Sequence, residues 1–359
     1  MAIQTNSQCR HILFMCAAAA MLPIAHADIT MEESMSVSGA GLMKMANMSG
    51  RTVTIIAGDR ARTDSNLEFE SGMMRALARG AGQSSEIVRL DQDKIYELNT
   101  EKKTYTETTF AEQRAVMQQS MQKMQDSQAS QQRAASGIDE SQCDWSDPKA
   151  DVTRSGEQAS IGGYQSERVQ INASQSCKDK KTGQVCEFGL TLDQWLTPSF
   201  DAAAETLAYR RAYAEKLGVS ASTSRDFAER AQSMFGRYEG IWGEVAAKMQ
   251  DIKGYPVKSS FSLAVGGPQC QISQETQASS GAPSSVGHAL GGALGGALGG
   301  LFAKKKKEQA PPDSTATSPA VPAGLVPLMT VSTELISVSR NAASPQTFEV
   351  PADFKKAKD

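Results

Sequence analysis

The stretch from Glu86 to Phe110 constrains the fold more than any other part of the chain. It reads EIVRLDQDKIYELNTEKKTYTETTF. It combines the period-2 pattern of strands that bury one face with an enrichment in Thr and Tyr. Turn residues separate its segments at Asp91–Asp93 and at Asn99–Lys103. The pattern predicts three short antiparallel strands, and we expect the rest of the fold to be built around this meander.

Further strands and helices follow from the same periodicities. In Asp28–Val37, the apolar residues Ile29, Met31, Met35 and Val37 face one way and most polar residues face the other, and only Glu33 interrupts the apolar row. Other predicted strands are Arg51–Ala57, Arg60–Asp64, Glu187–Leu196, Lys258–Val265 and Val331–Val338. Predicted helices are Phe110–Arg133, Phe200–Leu217 and Ser224–Gln250. These elements predict an α+β protein with an antiparallel sheet.

Residues 1–27 have the features of a cleaved signal peptide. A polar segment ending at His11 precedes the apolar run Ile12–Ala25, and Ala25-His26-Ala27 has the small-x-small form of a signal-peptidase site. The apolar run is too short for a good membrane span. We therefore expect export to the periplasm of a Gram-negative cell and a single mature domain over residues 28–359.

The mature chain lacks the residues that most enzyme mechanisms require. Its only histidine, His288, lies in a glycine-rich stretch, which argues against a histidine-dependent triad or a multi-histidine metal site. No phosphate-binding glycine loop or nucleophile elbow is recognisable. The 37 Lys and Arg residues against 40 Asp and Glu residues do not suggest nucleic-acid binding. We predict no catalytic residue, no metal and no cofactor.

Four cysteines remain after removal of the leader, and they are Cys143, Cys177, Cys186 and Cys270. An even number of cysteines in an oxidising compartment predicts two disulfides. Three pairings are compatible with the sequence. We favour Cys177–Cys186, which would close a hairpin at low entropic cost, together with Cys143–Cys270.

Residues 277–322 differ in composition from the rest of the chain. This Gly-, Ala-, Lys- and Pro-rich stretch is interpreted as an insertion within the domain, and its core repeats Ala-Leu-Gly-Gly. In water it is expected to be a linker, because glycine disfavours a helix. Alternatively, glycines spaced four apart allow close helix contact in lipid, and the lysine run favours an anionic surface. The membrane-contact candidates are Leu290, Leu294, Leu298, Leu301, Phe302, Lys304, Lys305, Lys306 and Lys307.

Three methionines share one face of the first long predicted helix. Met117, Met121 and Met124 recur at spacings of four and three. They are expected either to pack the helix onto the sheet or to form an adaptable lid over an apolar groove. Trp195 and Trp242 are expected in the core or in the lining of such a groove.

Several short sequence words resemble a family of uncharacterised secreted bacterial proteins related to the periplasmic lipoprotein carriers LolA and LolB. The words are RLDQDKIYELN at 89–99, KTYTE at 103–107, GYQ at 163–165, WLTP at 195–198, GYPV at 254–257 and FEVP at 348–351. The resemblance implies a strongly curved antiparallel sheet, an open half-barrel whose concave face carries the helices. In the carriers that face holds acyl chains.

Two functions are consistent with the sequence. The first is a non-enzymatic periplasmic binding protein with an apolar groove for a lipid, an acyl chain or a partner segment. Its groove candidates are Met117, Met121, Met124, Trp195 and Trp242. The alternative is an envelope structural or assembly protein that uses the glycine-repeat segment for membrane association or self-association.

Overall fold

The computed structural model describes residues 28–40, 44–45, 47–77, 83–119, 143–218, 239–267, 270 and 324–357. Within them the chain forms one large open sheet of 13 strands with few helices, which confirms the predicted α+β class. The strands are β1 (Ile29–Gly39), β2 (Met48–Ala57), β3 (Arg60–Phe69), β4 (Gln83–Arg89), β5 (Lys94–Asn99), β6 (Thr104–Thr109), β7 (Cys143–Trp145), β8 (Lys149–Ile161), β9 (Tyr164–Asp179), β10 (Val185–Thr197), β11 (Tyr255–Gly266), β12 (Leu325–Ser339) and β13 (Lys355–Lys356).

Most strands that are neighbours in the sheet are also consecutive in the chain. The order is β13-β6-β5-β4-β3-β2-β1-β12-β11-β10-β9-β7, with β8 also paired to β9. All pairs are antiparallel except β13 with β6. The helices are α1 (Gly72–Leu77), α2 (110–119), α3 (Ala203–Lys216) and α4 (Glu239–Gln250), with short 3-10 helices at Leu90–Gln92 and Pro345–Phe348.

The predicted meander is confirmed as β4, β5 and β6. Asp93 ends the first connection in the left-handed region, with φ of 58°. A second tight turn is formed by two glycines. Gly162 and Gly163 have φ values of 57° and 88° and join β8 to β9 as a two-residue hairpin loop, which requires positive φ at both positions.

Helices α3 and α4 pack on the same face of the sheet, here called the helical face. Tyr209 and Tyr213 of α3 contact the apolar cluster of Val88 and Ile95 on β4 and β5. Trp242 of α4 is 1% exposed and stacks on Phe261 of β11, with ring centroids 5.7 Å apart. Cross-strand register places these contacts on one side, since side chains directly opposite in a ladder share a face.

The C-terminal segment covers the other face at the far end of the sheet. Phe348 ends a 3-10 helix, is 1% exposed, and packs against Ile87 and Leu98. The Arg60 guanidinium carbon lies 4.9 Å from the centroid of the Phe348 ring. The strand at this edge of the sheet is β13, which begins seven residues after Phe348.

Cys143, Cys177, Cys186 and Cys270 all form disulfides, as predicted, but the favoured pairing was wrong. The bonds are Cys143–Cys177 and Cys186–Cys270, with Cα–Cα distances of 5.3 and 4.8 Å. Cys177 and Cys186 do face each other across the β9–β10 ladder. Each of them bonds instead to a cysteine from outside that hairpin. Paired cysteines are consistent with an extracellular or periplasmic protein.

Several sequence predictions lie outside the described residues. They are the signal peptide at 1–27, Met121, Met124, the insertion at 277–322 and all the membrane-contact candidates. Strands β11 and β12, which flank the insertion in sequence, are paired neighbours. Among the helices that the structure describes, none has the length and apolar character needed to cross a membrane.

Candidate functional site

A continuous row of apolar side chains crosses the helical face over eight strands. Its members stand directly opposite one another in successive ladders. In spatial order the row consists of Phe69, Met48, Val37, Val331, Phe261, Leu192, Ile171 and Val152. We call this set the apolar row. A one-residue slip in any of these strand pairings would turn the side chain of that strand to the other face of the sheet. The apolar row therefore depends on the register of every pair.

Helix α4 covers one part of the apolar row. Leu192 and Ile171 are buried, and Phe261 lies beneath Trp242. The remaining cavity between α4 and the sheet has a volume of about 30 Å³. That is the volume of one water molecule in the liquid. Helix α4 therefore fills its site, and Trp242 is a core residue of this helix–sheet contact.

The part of the row on β12, β1, β2 and β3 is only half-buried. It consists of Val331, Val37, Met48 and Phe69. Helix α3 contacts the same face of β1 at Met31, whose sulfur lies 3.9 Å from the hydroxyl of Thr206. Six residues separate Met31 from Val37, which corresponds to about 20 Å along a strand. The half-buried apolar surface thus lies well away from α3.

The opposite face of the same strands is lined by polar residues. Two cross-strand rows run from β9 to β2. The first row is Gln170, Asp193, Ser260, Ser332, Ser36 and Ser49. The second row is Arg168, Trp195, Lys258, Glu334, Ser34 and Arg51. Apart from Gln170, both rows line a cavity of about 600 Å³, which we call the polar pocket.

Arg168 is the centre of the charge network in the polar pocket. Its Nη2 lies 2.7 Å from Asp193 Oδ2, and its Nη1 lies 2.9 Å from a Glu157 carboxylate oxygen. Gln170 donates a further hydrogen bond of 3.0 Å to Asp193. The hydrogen bond that Arg168 donates to Asp193, and to a smaller extent the one that it donates to Glu157, raise the pKa of the Arg168 guanidinium above its usual range. Asp193, which is 6% exposed, is therefore a buried carboxylate held by two donors.

The structure separates the residues that the sequence assigned to one groove. Met117 lies half-buried on α2, Trp242 is in the core under α4, and Trp195 lines the polar pocket on the other face. These three are not brought together. The polar pocket itself was not anticipated. The sequence did contain a sign of it. In β1, Ser34 and Ser36 alternate with Met35 and Val37, so the serines must line the face opposite to the apolar side chains.

Two glutamates stand opposite each other on the helical face near α3. Glu86 on β4 pairs with Glu97 on β5. Burial, and then the neighbouring Glu97 carboxylate, raise the pKa of Glu86 above its ordinary value of 4.5. The pKa of nearby Tyr209 is also raised, mainly by burial. Two like charges directly opposite each other across a ladder are destabilising, so the pair of Glu86 and Glu97 lowers the stability of the folded protein.

We expect Glu86→Gln to stabilise the protein at neutral pH by a few tenths to about 1 kcal/mol, the range of cross-strand pair energies. Because the folded pKa of Glu86 lies above its unfolded value, folding favours the protonated form. Wild-type stability should therefore fall as the pH rises from about 4.5 through the folded pKa. The advantage of Glu86→Gln should appear over that window and vanish below it.

Thermal melts of both proteins between about pH 4 and pH 8 measure this difference, because a pKa that differs between the folded and unfolded states makes the free energy of unfolding depend on pH. Glu68→Gln, an exposed carboxylate on β3, is the matched control and should leave the slope unchanged. Parallel stability profiles for wild type and Glu86→Gln would contradict the prediction.

Within the described ranges, no group of three or more His, Cys, Asp or Glu side chains is arranged to hold a metal ion. The two carboxylates that line the polar pocket are instead paired with cations, Asp193 with Arg168 and Glu334 with Lys258. The polar pocket therefore offers hydroxyls, paired charges and one indole ring.

No protein-family model matches the chain, and no curated protein matches it either.

Proposed function

We propose that the protein is a non-enzymatic binding protein of the periplasm that holds a lipid or acyl chain on its helical face. The observation that supports this is the half-buried part of the apolar row. Val331, Val37, Met48 and Phe69 form a contiguous apolar strip over four adjacent strands. Contiguous apolar surface of this kind marks interaction sites on soluble proteins.

In this proposal the sheet is an open half-barrel similar to that of the LolA and LolB carriers. The contact between the β8–β9 loop and β12 supports strong curvature. A Cβ atom added at Gly162 would lie 2.9 Å from Leu335 Cδ2, although β10 and β11 separate β9 from β12 in the sheet. A flat sheet would keep strands three positions apart at about 14 Å.

The methionine helix is attached elsewhere on the helical face. Arg114 of α2 donates a hydrogen bond to the carbonyl of Lys216 at the end of α3, and the apolar strip lies well away from α3. Met117 is half-buried on α2, whereas Met121 and Met124 lie outside the described residues. A lid formed by these three methionines therefore stays a prediction.

Export to an oxidising compartment agrees with two further features. The disulfides Cys143–Cys177 and Cys186–Cys270 need such a compartment to persist. The leader at 1–27 supplies the route in this proposal.

A dansyl-labelled undecanoic acid titrated into the purified protein tests the proposal. We expect saturable fluorescence enhancement. Met48→Gln should weaken binding at least about fivefold, which corresponds to a loss of about 1 kcal/mol of binding energy. Met48 is half-buried, so this substitution should change Tm little.

Two controls distinguish loss of an apolar contact from general damage. Met48→Leu keeps an apolar side chain and should retain binding. Val53→Gln introduces the same polar group on the same strand but on the other face, and should also retain binding. Absence of probe binding in wild type, or equal binding by Met48→Gln, would refute the proposal.

A further inference from the structure

The polar pocket has the size of a ligand site and lies on the face opposite the apolar row. Its volume of about 600 Å³ falls within the range for small-molecule sites, roughly 300–1,000 Å³. Most of its lining residues share strands with the apolar row but point the other way, whereas Met35, Gly50 and Thr333 of the lining alternate in step with the apolar row. We propose that the polar pocket binds a neutral, hydroxyl-rich ligand, namely a saccharide or a polyol.

The charges of the pocket indicate a neutral ligand. Each cation that lines it already has a carboxylate partner. Arg168 pairs with Asp193 at 2.7 Å, Lys258 with Glu334 at 2.8 Å, and Arg51 with Glu32 at 2.9 Å. An anionic or cationic ligand would have to compete with one of these ion pairs, whereas a neutral ligand would leave them intact.

The hydroxyls of the pocket indicate that the ligand carries hydroxyl groups. Ser260 and Ser332 share a hydrogen bond of 2.7 Å, so one of them keeps an unused hydrogen. Among the described residues, the side chains of Ser36 and Ser49 make no hydrogen bond. A serine hydroxyl both donates and accepts, which matches a ligand hydroxyl that does the same.

The small side chains of the serines also leave room for the pocket. On β1 and β2 the helical face has Val37 and Met48 where the polar face has Ser36 and Ser49. Of the serines that line the pocket, only Ser260 is buried, at 7% exposure, and it is hydrogen-bonded to Ser332. The other lining serines are half-buried or exposed, so their hydroxyls are accessible to a ligand.

Trp195 gives the pocket one apolar surface. Its half-buried indole lines the cavity, and the Arg168 guanidinium carbon lies 6.0 Å from its ring centroid. Pyranose rings present C–H groups on one face and hydroxyls at the rim. An amphipathic aromatic ring next to hydroxyl donors and acceptors suits such a molecule.

Isothermal titration of the full-length mature protein with chitotriose, maltotriose and cellotriose as neutral probes, and with trigalacturonate as an anionic probe, tests the proposal. We expect at least one neutral trisaccharide to bind with a Kd below about 1 mM, and trigalacturonate to bind more weakly. No binding of any neutral probe at about 10 mM, or preference for trigalacturonate, would overturn the proposal.

Two substitutions on β1 localise the site. Ser36→Leu fills the pocket and should lower the affinity for the bound trisaccharide at least about tenfold, the equivalent of 1.4 kcal/mol. Ser38→Leu adds the same side chain on the same face, two residues outside the pocket, and should leave affinity unchanged. If Ser36→Leu fails to fold, Ser49→Leu at an exposed lining position replaces it. Unchanged affinity in the folded pocket variant would overturn the proposal.

Discussion

Replacing both Cys186 and Cys270 with alanine should lower the free energy of unfolding by about 3–5 kcal/mol, the largest effect we expect from removing any single cross-link. The two residues are 84 positions apart in sequence, so the bond removes a long loop from the unfolded ensemble. Both are buried, at 0% and 1% exposure, so their loss also affects packing in the cluster around Trp242. Denaturant unfolding of the oxidised variant and the oxidised wild type measures the difference.

The other disulfide provides the matched control. Cys143 and Cys177 are separated by 34 residues, and the chain-entropy relation makes their replacement about 0.8 kcal/mol less damaging. Thiol titration of the Cys186→Ala, Cys270→Ala variant tests the pairing itself. It should find no free thiol, since Cys143 and Cys177 remain bonded. Two free thiols would mean that the observed pairing is wrong.

The disulfides illustrate what strand patterns can and cannot predict. The sequence correctly indicated that Cys143, Cys177, Cys186 and Cys270 pair, because an even number of cysteines after a predicted leader favours disulfides. It also indicated a turn between Cys177 and Cys186, and these two residues are directly opposite in the ladder. Each strand, however, has a neighbour on both sides. The choice of partner depends on β7 and on the segment after β11, whose positions only the assembled sheet defines.

The same limit explains the candidate sites. Alternation in β1 predicted that Met35 and Val37 share a face, and the structure agrees. The apolar row requires seven successive registers, and no single strand encodes its neighbours' registers. The sequence placed Trp195 on a predicted strand and Trp242 on a predicted helix. Only the assembled sheet shows that Trp242 packs on the helical face whereas Trp195 lines the polar pocket.

Replacing Arg168 with methionine should destabilise the protein by about 3–5 kcal/mol, because it leaves the Asp193 carboxylate buried without its cation. Asp193 accepts hydrogen bonds from both Nε and Nη2 of Arg168, at distances of 3.0 and 2.7 Å. Gln170 alone would remain to hold the charge. Asp193→Leu in the same background should recover most of the loss, since a buried pair can be replaced by apolar residues of similar volume.

Two comparisons separate this effect from the general cost of changing a surface cation. Lys103→Met breaks an exposed pair with Asp353 and should change stability by less than about 1 kcal/mol. A loss in Arg168→Met that Asp193→Leu does not relieve would mean that Arg168 acts through packing of its stem beside Trp195 and not through its charge.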